Sequence, residues 1–437
     1  MESLNETTPE LPQVPSRIGG RGLAAFRHHN YRLFWGGQLV SLAGTWAQNM
    51  AQSWLVLQLS HSAFILGIVG ALQFLPMLVL GLFGGLIADR FPKRSIIIIT
   101  QATAAVLALV LGVLTAAGWV QVWHVMILAL FLGIVNAVDM PTRQAFVVEM
   151  VGRDDLMSAV ALNSSVFNAA RIFGPAIGGL LIAWVGIAFC FIFNGLSFFA
   201  VIGGLLLMDM SRLHVVERGA KHTVWKGLRE GLGYVRHTRD AFMAIALVGV
   251  VSLFALNFNT LNPLIADGVL SVGAQGYGSM MSAMGVGSVI AAISVAFLFQ
   301  KPSRLLIVGS TMMVAIFEVI YAQTNQFVLV LILMMLLGMA ATALTANANS
   351  MLQTTTPDHL RGRVMSVYAT VFAGITPFGA FYAGTLASFM GPQFTMGLSG
   401  ILAGIGGVFA LLTGWHRETA LVAGYRSSRS PHSEPSD

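Results

Sequence analysis

The chain has little charge. Of its 437 residues, 10% are Asp, Glu, Lys or Arg, 56% are hydrophobic, and the mean hydropathy is +0.77. A soluble domain carries about 25% charged residues, so this chain lacks the groups to cover a water-facing surface and reads as membrane-embedded. Cysteine is scarcer still. Cys190 stands alone in an apolar segment, which excludes an intramolecular disulfide and suits a small packing residue. A Walker-type ATP-binding loop is missing, as are a membrane-embedded His/Asp cluster and a nucleophile–base pair. An intramembrane enzyme or sensor is therefore disfavoured, and no cofactor or metal is expected. The first thirty residues are polar, with no apolar core, which predicts that no signal peptide is cleaved and that the first spanning helix serves as the insertion signal.

Long apolar runs dominate what is present. Spanning helices are expected at 32–58, 62–88, 95–117, 121–148, 157–184 and 187–208, then at 241–266, 275–299, 304–323, 327–351, 363–388 and 393–414. Each is near or above the ~20 residues that a bilayer requires. The chain thus divides into a tail (1–30), a six-helix half (31–209), a polar basic loop (210–240), a second half (241–414) and a Ser- and Pro-rich tail (415–437). The net charge of +6 and a pI near 9.8 would suit nucleic acid, but the cations occupy short loops and tails instead. Arg90, Lys93 and Arg94 lie between helices 2 and 3, Arg153 between 4 and 5, Lys301 and Arg304 between 8 and 9, and Arg361 and Arg363 between 10 and 11. The alternate loops carry no Lys or Arg, so the positive-inside rule predicts cytoplasmic termini. A faint internal repeat supports two related halves: Met157-Ser158-Ala159-Val160 and Met365-Ser366-Val367-Tyr368 open corresponding helices 5 and 11 after charged turns.

The turn after helix 2 reads Gly84-Gly85-Leu86-Ile87-Ala88-Asp89-Arg90-Phe91-Pro92-Lys93-Arg94. Gly85 and Asp89 share a helix face, and Gly81 and Gly85 have the small-xxx-small spacing of closely packed membrane helices. The run resembles the loop signature between helices 2 and 3 of major facilitator transporters, with Pro92 where that family often has Gly. The resemblance implies an all-α membrane protein, twelve helices in two six-helix halves, and a conformational switch at Gly85, Asp89, Arg90 and Arg94. Glu149, ending helix 4 on the same side, is expected to bridge to Arg90 or Arg94 and hold that side closed when the other opens.

Two cations fall inside the spans. Arg143 follows Asp139 by four residues, so they can pair on one face of helix 4, with Pro141 between them. Ser164, Asn168 and Arg171 form a stripe on helix 5. At 1.5 Å per residue Asp139 lies ~14 Å and Arg171 ~21 Å from their cytoplasmic ends, which suggests one cluster of Asp139, Arg143 and Arg171 between helices 4 and 5. It can act in proton coupling, or it can be a static pair that locks the helices. Charged groups in the bilayer usually face a partner or a wet cavity. Glu318 of helix 9 is a candidate proton carrier, but it lies about five residues from the outer end, and snorkelling to the interface is the expected outcome.

The run Asn136-Ala137-Val138-Asp139-Met140-Pro141-Thr142-Arg143 resembles a bacterial major facilitator subfamily that includes the enterobactin exporter and the macrolide efflux pumps. Gly174-Pro175-Ala176-Ile177-Gly178-Gly179 is similar to the helix-5 signature of drug/proton antiporters, and Asn257-Phe258-Asn259-Thr260-Leu261-Asn262 to the subfamily's helix 7. The helix-5 glycines offer a flat face for close contact between halves, or for plain helix packing. The resemblance covers about residues 30–415 and places helices 1, 4, 7 and 10 around a central cavity. Trp46, Gln48, Asn49, Gln52, Asn136, Asn168, Asn257 and Asn259 are its candidate lining residues, suited to a large apolar ligand with a few polar atoms. The implied function is secondary active transport by alternating access: export of hydrophobic drugs or siderophore-like compounds in exchange for protons, Asp139 and then Asp89 being the candidate proton carriers. The alternative is a transporter of an endogenous solute or lipid, such as a lysophospholipid, in either direction. The partners are then a small-molecule substrate, protons and membrane lipid, for a monomer in a bacterial inner membrane.

Overall fold

In the computed structural model, residues 23–214, 224–298 and 301–415 are described. The tail expected at 415–437 lies, after Trp415, outside the described residues, as does most of the tail expected at 1–30. Every regular element among the described residues is a helix. The first half holds α1 (His29–Ser60), α2 (Ala63–Arg90), α3 (Lys93–Ala116), α4 (Val122–Val151), α5 (Leu156–Trp184) and α6 (Ile187–Leu206). After α7 (Val224–His237) come α8 (Arg239–Phe254), α9 (Phe258–Gly268), α10 (Gly273–Leu298), α11 (Arg304–Gln323), α12 (Phe327–Thr355), α13 (Asp358–Gly374), α14 (Thr376–Met390) and α15 (Pro392–Leu412).

Eleven spans, with α8–α9 and α13–α14 each counted as one, are long and apolar enough to cross a membrane. The remaining helix, α1, has 32 residues, and Gln38, Gln48, Asn49 and Gln52 dilute its hydropathy. Its ~48 Å length, at 1.5 Å per residue, and its packing against α5 and α6 are compatible with a twelfth crossing. Two expected continuous helices are broken. At 255–257 the Asn257 amide donates to the Leu253 and Phe254 carbonyls (2.9 and 3.0 Å), closing α8 before α9 begins. At Ile375 the break precedes Pro377, which has no N–H for a continuing helix. The polar loop expected at 210–240 contains α7, which packs on α13, with Glu230 paired to Arg363.

The second half repeats the packing of the first: α2 on α4 is matched by α10 on α12, and α3 on α6 by α11 on α15. Close approach depends on glycine. A Cβ on Gly84 would collide with the Ala137 carbonyl, and one on Gly338 with the Met284 carbonyl. Gly81 and Gly85, by contrast, face open space, so the expected small-xxx-small contact is not made; Gly84 and Gly133 carry the α2–α4 packing instead.

The halves meet along two seams near the end of the bundle whose loops lack Lys and Arg, termed here the neutral end. In the α2–α14 seam, a Cβ on Gly67 would lie 2.8 Å from the Gly384 Cα, and Phe64 meets Phe381 edge-on at 5.9 Å. In the α5–α10 seam, a Cβ on Gly278 would lie 2.6 Å from the Pro175 carbonyl oxygen and 3.1 Å from the Gly179 Cα. Trp54 of α1 stacks on Tyr277 of α10 at 6.3 Å. At the opposite, basic end the ion pairs stay within each half: Lys93–Glu149 and His28–Asp155 in the first, Arg304–Asp240 and Arg363–Glu230 in the second.

Candidate functional site

A cavity lies between the halves at the inner edge of the seams. Its lining comprises Trp46 of α1, Arg171 and Pro175 of α5, Leu256, Phe258 and Asn259 at the α8–α9 break, Met281 and Met284 of α10, Ala341 and Thr345 of α12, and Phe372 of α13. Leu256 of the break and the first turn of α9 thus border the cavity, as non-helical backbone at membrane depth is confined to cavity-lining or protein-buried positions. Trp46 is fixed edge-on to Phe167 at 5.6 Å. Arg171 is the single charged residue of this lining, and among the described residues it makes no hydrogen bond or ion pair.

The expected cluster of Asp139, Arg143 and Arg171 is thus split. Asp139 is buried, 7% exposed, and looks towards α3. Its Oδ1 accepts from Thr100 Oγ1 (2.6 Å) and Gln101 Nε2 (3.2 Å), and its Oδ2 from Arg143 Nε (2.7 Å). The Arg143 guanidinium also lies 5.9 Å from the Phe34 ring centroid. The pair therefore clamps α3 to α4, not α4 to α5, and α4 contributes none of the cavity lining named above; α5 stands in the place expected for it.

The candidate lining residues divide likewise. Trp46 and Asn259 face the cavity. Gln48 accepts from Asn194 (2.8 Å) inside the first half, and Asn49 and Gln52 are joined through Gln73 of α2 (both 3.1 Å). Asn257 caps the α8 break, and Asn168 donates to the Ser164 carbonyl of its own helix (2.8 Å). Asn136 is exposed and outside the lining. Reasoning from polar residues missed Met281, Met284, Leu256 and Phe372. The available signal was the Met281–Met284 spacing, one helical turn beyond Gly278 and flanking the packing face of Gly285.

The helix-5 glycines serve two contacts. Gly174 and Gly178 admit α1 of their own half, and a Cβ on Gly178 would lie 3.1 Å from the Ala47 Cα. Gly179 alone faces α10 across the seam.

At the basic end, Glu149 pairs with Lys93 (2.6 Å), and not with Arg90 or Arg94 as expected. Arg94 instead donates to the Leu205 and Leu206 carbonyls (2.7 and 3.1 Å). Those carbonyls lie at the C-terminal end of α6, where unsatisfied acceptors and the helix dipole favour a cation. Asp89 and Arg90 are exposed. Just beyond α6, the Ser211 hydroxyl and N–H bind Asp209 and hold its carboxyl below the usual carboxylate range.

Glu318 does not snorkel. It is fully buried in α11, and neither carboxyl oxygen has a hydrogen-bond partner among the described residues.

Residues 20–423 match the family described as transmembrane secretion effectors. The chain is 28% identical to the multidrug efflux pump Tap of Mycolicibacterium fortuitum, over 85% of this chain and 93% of that one. It is 23% identical to the staphyloferrin A transporter of Staphylococcus aureus (85% and 92%) and 24% identical to the enterobactin exporter EntS of Escherichia coli (88% and 92%). In fold it is similar to an inward-facing bacterial homologue of the human lysosomal transporter Spinster, with a TM-score of 0.70 at 11% identity over 88% of this chain and 96% of that one. It is also similar to the nucleoside transporter NupG, with a TM-score of 0.72 at 10% identity over 89% and 100%. The chain belongs to the transmembrane secretion effector family of the major facilitator superfamily, and is a multi-pass membrane transporter, not an enzyme.

Proposed function

We propose that this member of the family exports acidic, largely apolar compounds of the siderophore or drug type from a bacterial cytoplasm, in exchange for protons, by alternating access. The observation that carries the substrate class is Arg171. It is a cation without a partner among the described residues, in a wall otherwise made of Trp, Phe, Leu, Met, Pro, Ala and a few neutral polar groups. A guanidinium in apolar surroundings is best satisfied by a carboxylate or another acidic group of a ligand, through charge-assisted hydrogen bonds. The methionines and aromatics give a pliable wall for the remainder of the molecule. The seams at the neutral end support an access state open towards the basic end. The positive-inside rule supports a cytoplasmic basic end, with both termini inside. Gly81 and Gly85 leave a bare face on α2, and Asp89 and Arg90 stand unpaired among the described residues, as a switch released in this state would.

The test is transport in reconstituted vesicles loaded with a pH dye. A catecholate or polycarboxylate siderophore, a macrolide and a lipophilic cation are followed under an imposed pH step, for wild type and Arg171→Gln. Proton-dependent movement of the acidic compound, reduced about 10- to 100-fold by Arg171→Gln, is expected from the loss of one charged hydrogen-bond partner. Movement of the lipophilic cation, undiminished by the substitution, would contradict the acidic reading. Movement of none of the three would return the function to an endogenous solute or lipid.

A further inference from the structure

Glu318 is surrounded by groups that reach both seams. Gly400 of α15 packs against it so closely that a Cβ there would lie 2.9 Å from the Glu318 Cβ. Tyr321, one turn along α11, and Tyr382 of α14 are within electrostatic range of its carboxyl, and Tyr277 of α10 is within range of Tyr321. The Tyr321 hydroxyl donates to Asn262 Oδ1 of α9 (2.9 Å), and Asn262 Nδ2 lies 3.6 Å from the Met281 sulfur, itself in the cavity wall. Tyr382 meets Ser399 of α15 at 3.4 Å. Among the described residues no cation is paired with the site. The spans of α12 and α15 contain no Asp, Glu, Lys, Arg or His. Asp267 of α9 is exposed. Arg239 and Asp240 of α8 lie at the basic end, where Asp240 holds Arg304, and Glu318 is fourteen residues or ~21 Å further along α11.

An ionised carboxylate with no hydrogen-bond partner is costly in such surroundings. Tyr277 stacks on Trp54 of the other half, and Tyr382 sits on the helix that meets α2. The two tyrosines therefore couple the carboxyl environment to both seams. Parting the seams would expose this pocket to water from the neutral end.

We propose that Glu318 is a proton-binding site linked to closure of the neutral end. With one proton on its carboxylate the halves stay joined there. Release of that proton to solvent leaves a charge that only the opened, hydrated arrangement accommodates. The inference deepens the proton-exchange reading above by naming the residue that takes the proton.

The experiment needs no substrate. Spin labels are placed at Trp119→Cys and Phe389→Cys, both exposed near the neutral end on opposite halves, in a Cys190→Ala chain. Distance distributions are recorded in nanodiscs from about pH 5 to about pH 9, spanning the range over which a perturbed carboxyl titrates. For wild type the joined population falls as pH rises, with a limiting slope of about tenfold in the joined-to-open ratio per pH unit, as for one linked proton. Glu318→Gln, the neutral isostere, stays joined throughout, and Asp139→Asn keeps the wild-type response. A wild-type distribution that ignores pH, or a Glu318→Gln chain that follows wild type, would overturn the proposal. A chain that moves none of the vesicle compounds but shows these distance changes would overturn the substrate reading alone.

Discussion

Among the described residues each half of the protein buries one carboxylate, and the two are treated in opposite ways. Asp139 in the first half has its oxygens bonded by Thr100, Gln101 and Arg143. Glu318 in the second half is more deeply buried and has no hydrogen-bond partner among the described residues. Removing one member of a bonded ion pair strands its partner, which suits a structural role. A carboxyl without partners carries its charge only when its surroundings change. The contrast fits a structural clamp at α3–α4 and the proton-binding role proposed above for Glu318 of α11.

Breaking the clamp should give the largest effect on stability. Asp139→Asn leaves the partly buried Arg143 without its counter-ion, which is expected to cost about 3–5 kcal/mol, read as a lowered unfolding midpoint in detergent. Thr100→Val removes one bond to the charged oxygen and should cost about 1.5–3 kcal/mol in the same measurement. Glu318→Gln breaks no hydrogen bond made in this structure and should change stability by less than about 1 kcal/mol. If it proves as costly as Asp139→Asn, Glu318 is a structural group and the contrast fails. The smallest change belongs to the basic end. Arg90→Ala should stay within about 0.5 kcal/mol of wild type, and Lys93→Ala, which frees half-buried Glu149, should cost more.

Much of this was legible in the sequence. The alternation of basic and cation-free loops marked the two ends, and the apolar runs marked the spans. The i, i+4 spacing of Asp139 and Arg143 foretold their pair, because neighbours on one helix face need no tertiary information. What was not legible was azimuth. Counting residues gave the depths of Asp139 and Arg171 but not that the first turns towards α3 and the second towards the other half. The same limit hid Glu318: five residues from a helix end permits snorkelling, but the packing of Gly400 against it leaves no path outward. Glu149 chose Lys93 over Arg90 because Lys93 opens α3, while Arg90 ends α2 on an exposed face. The broken helices at Asn257 and Ile375 carried local signs, an amide able to compete for backbone carbonyls and a proline two residues on, that hydropathy alone does not weigh.

The most direct measurement of the difference between the two carboxylates is transport of one compound in pH-stepped vesicles by Asp139→Asn and Glu318→Gln. With each rate normalised to folded protein, Asp139→Asn should retain acceleration by the proton gradient. Glu318→Gln, held joined at the neutral end, should move little substrate, at a rate the pH step does not change. Gradient-driven transport that survives in Glu318→Gln and is lost in Asp139→Asn would reverse the assignment and make the bonded carboxylate the proton carrier.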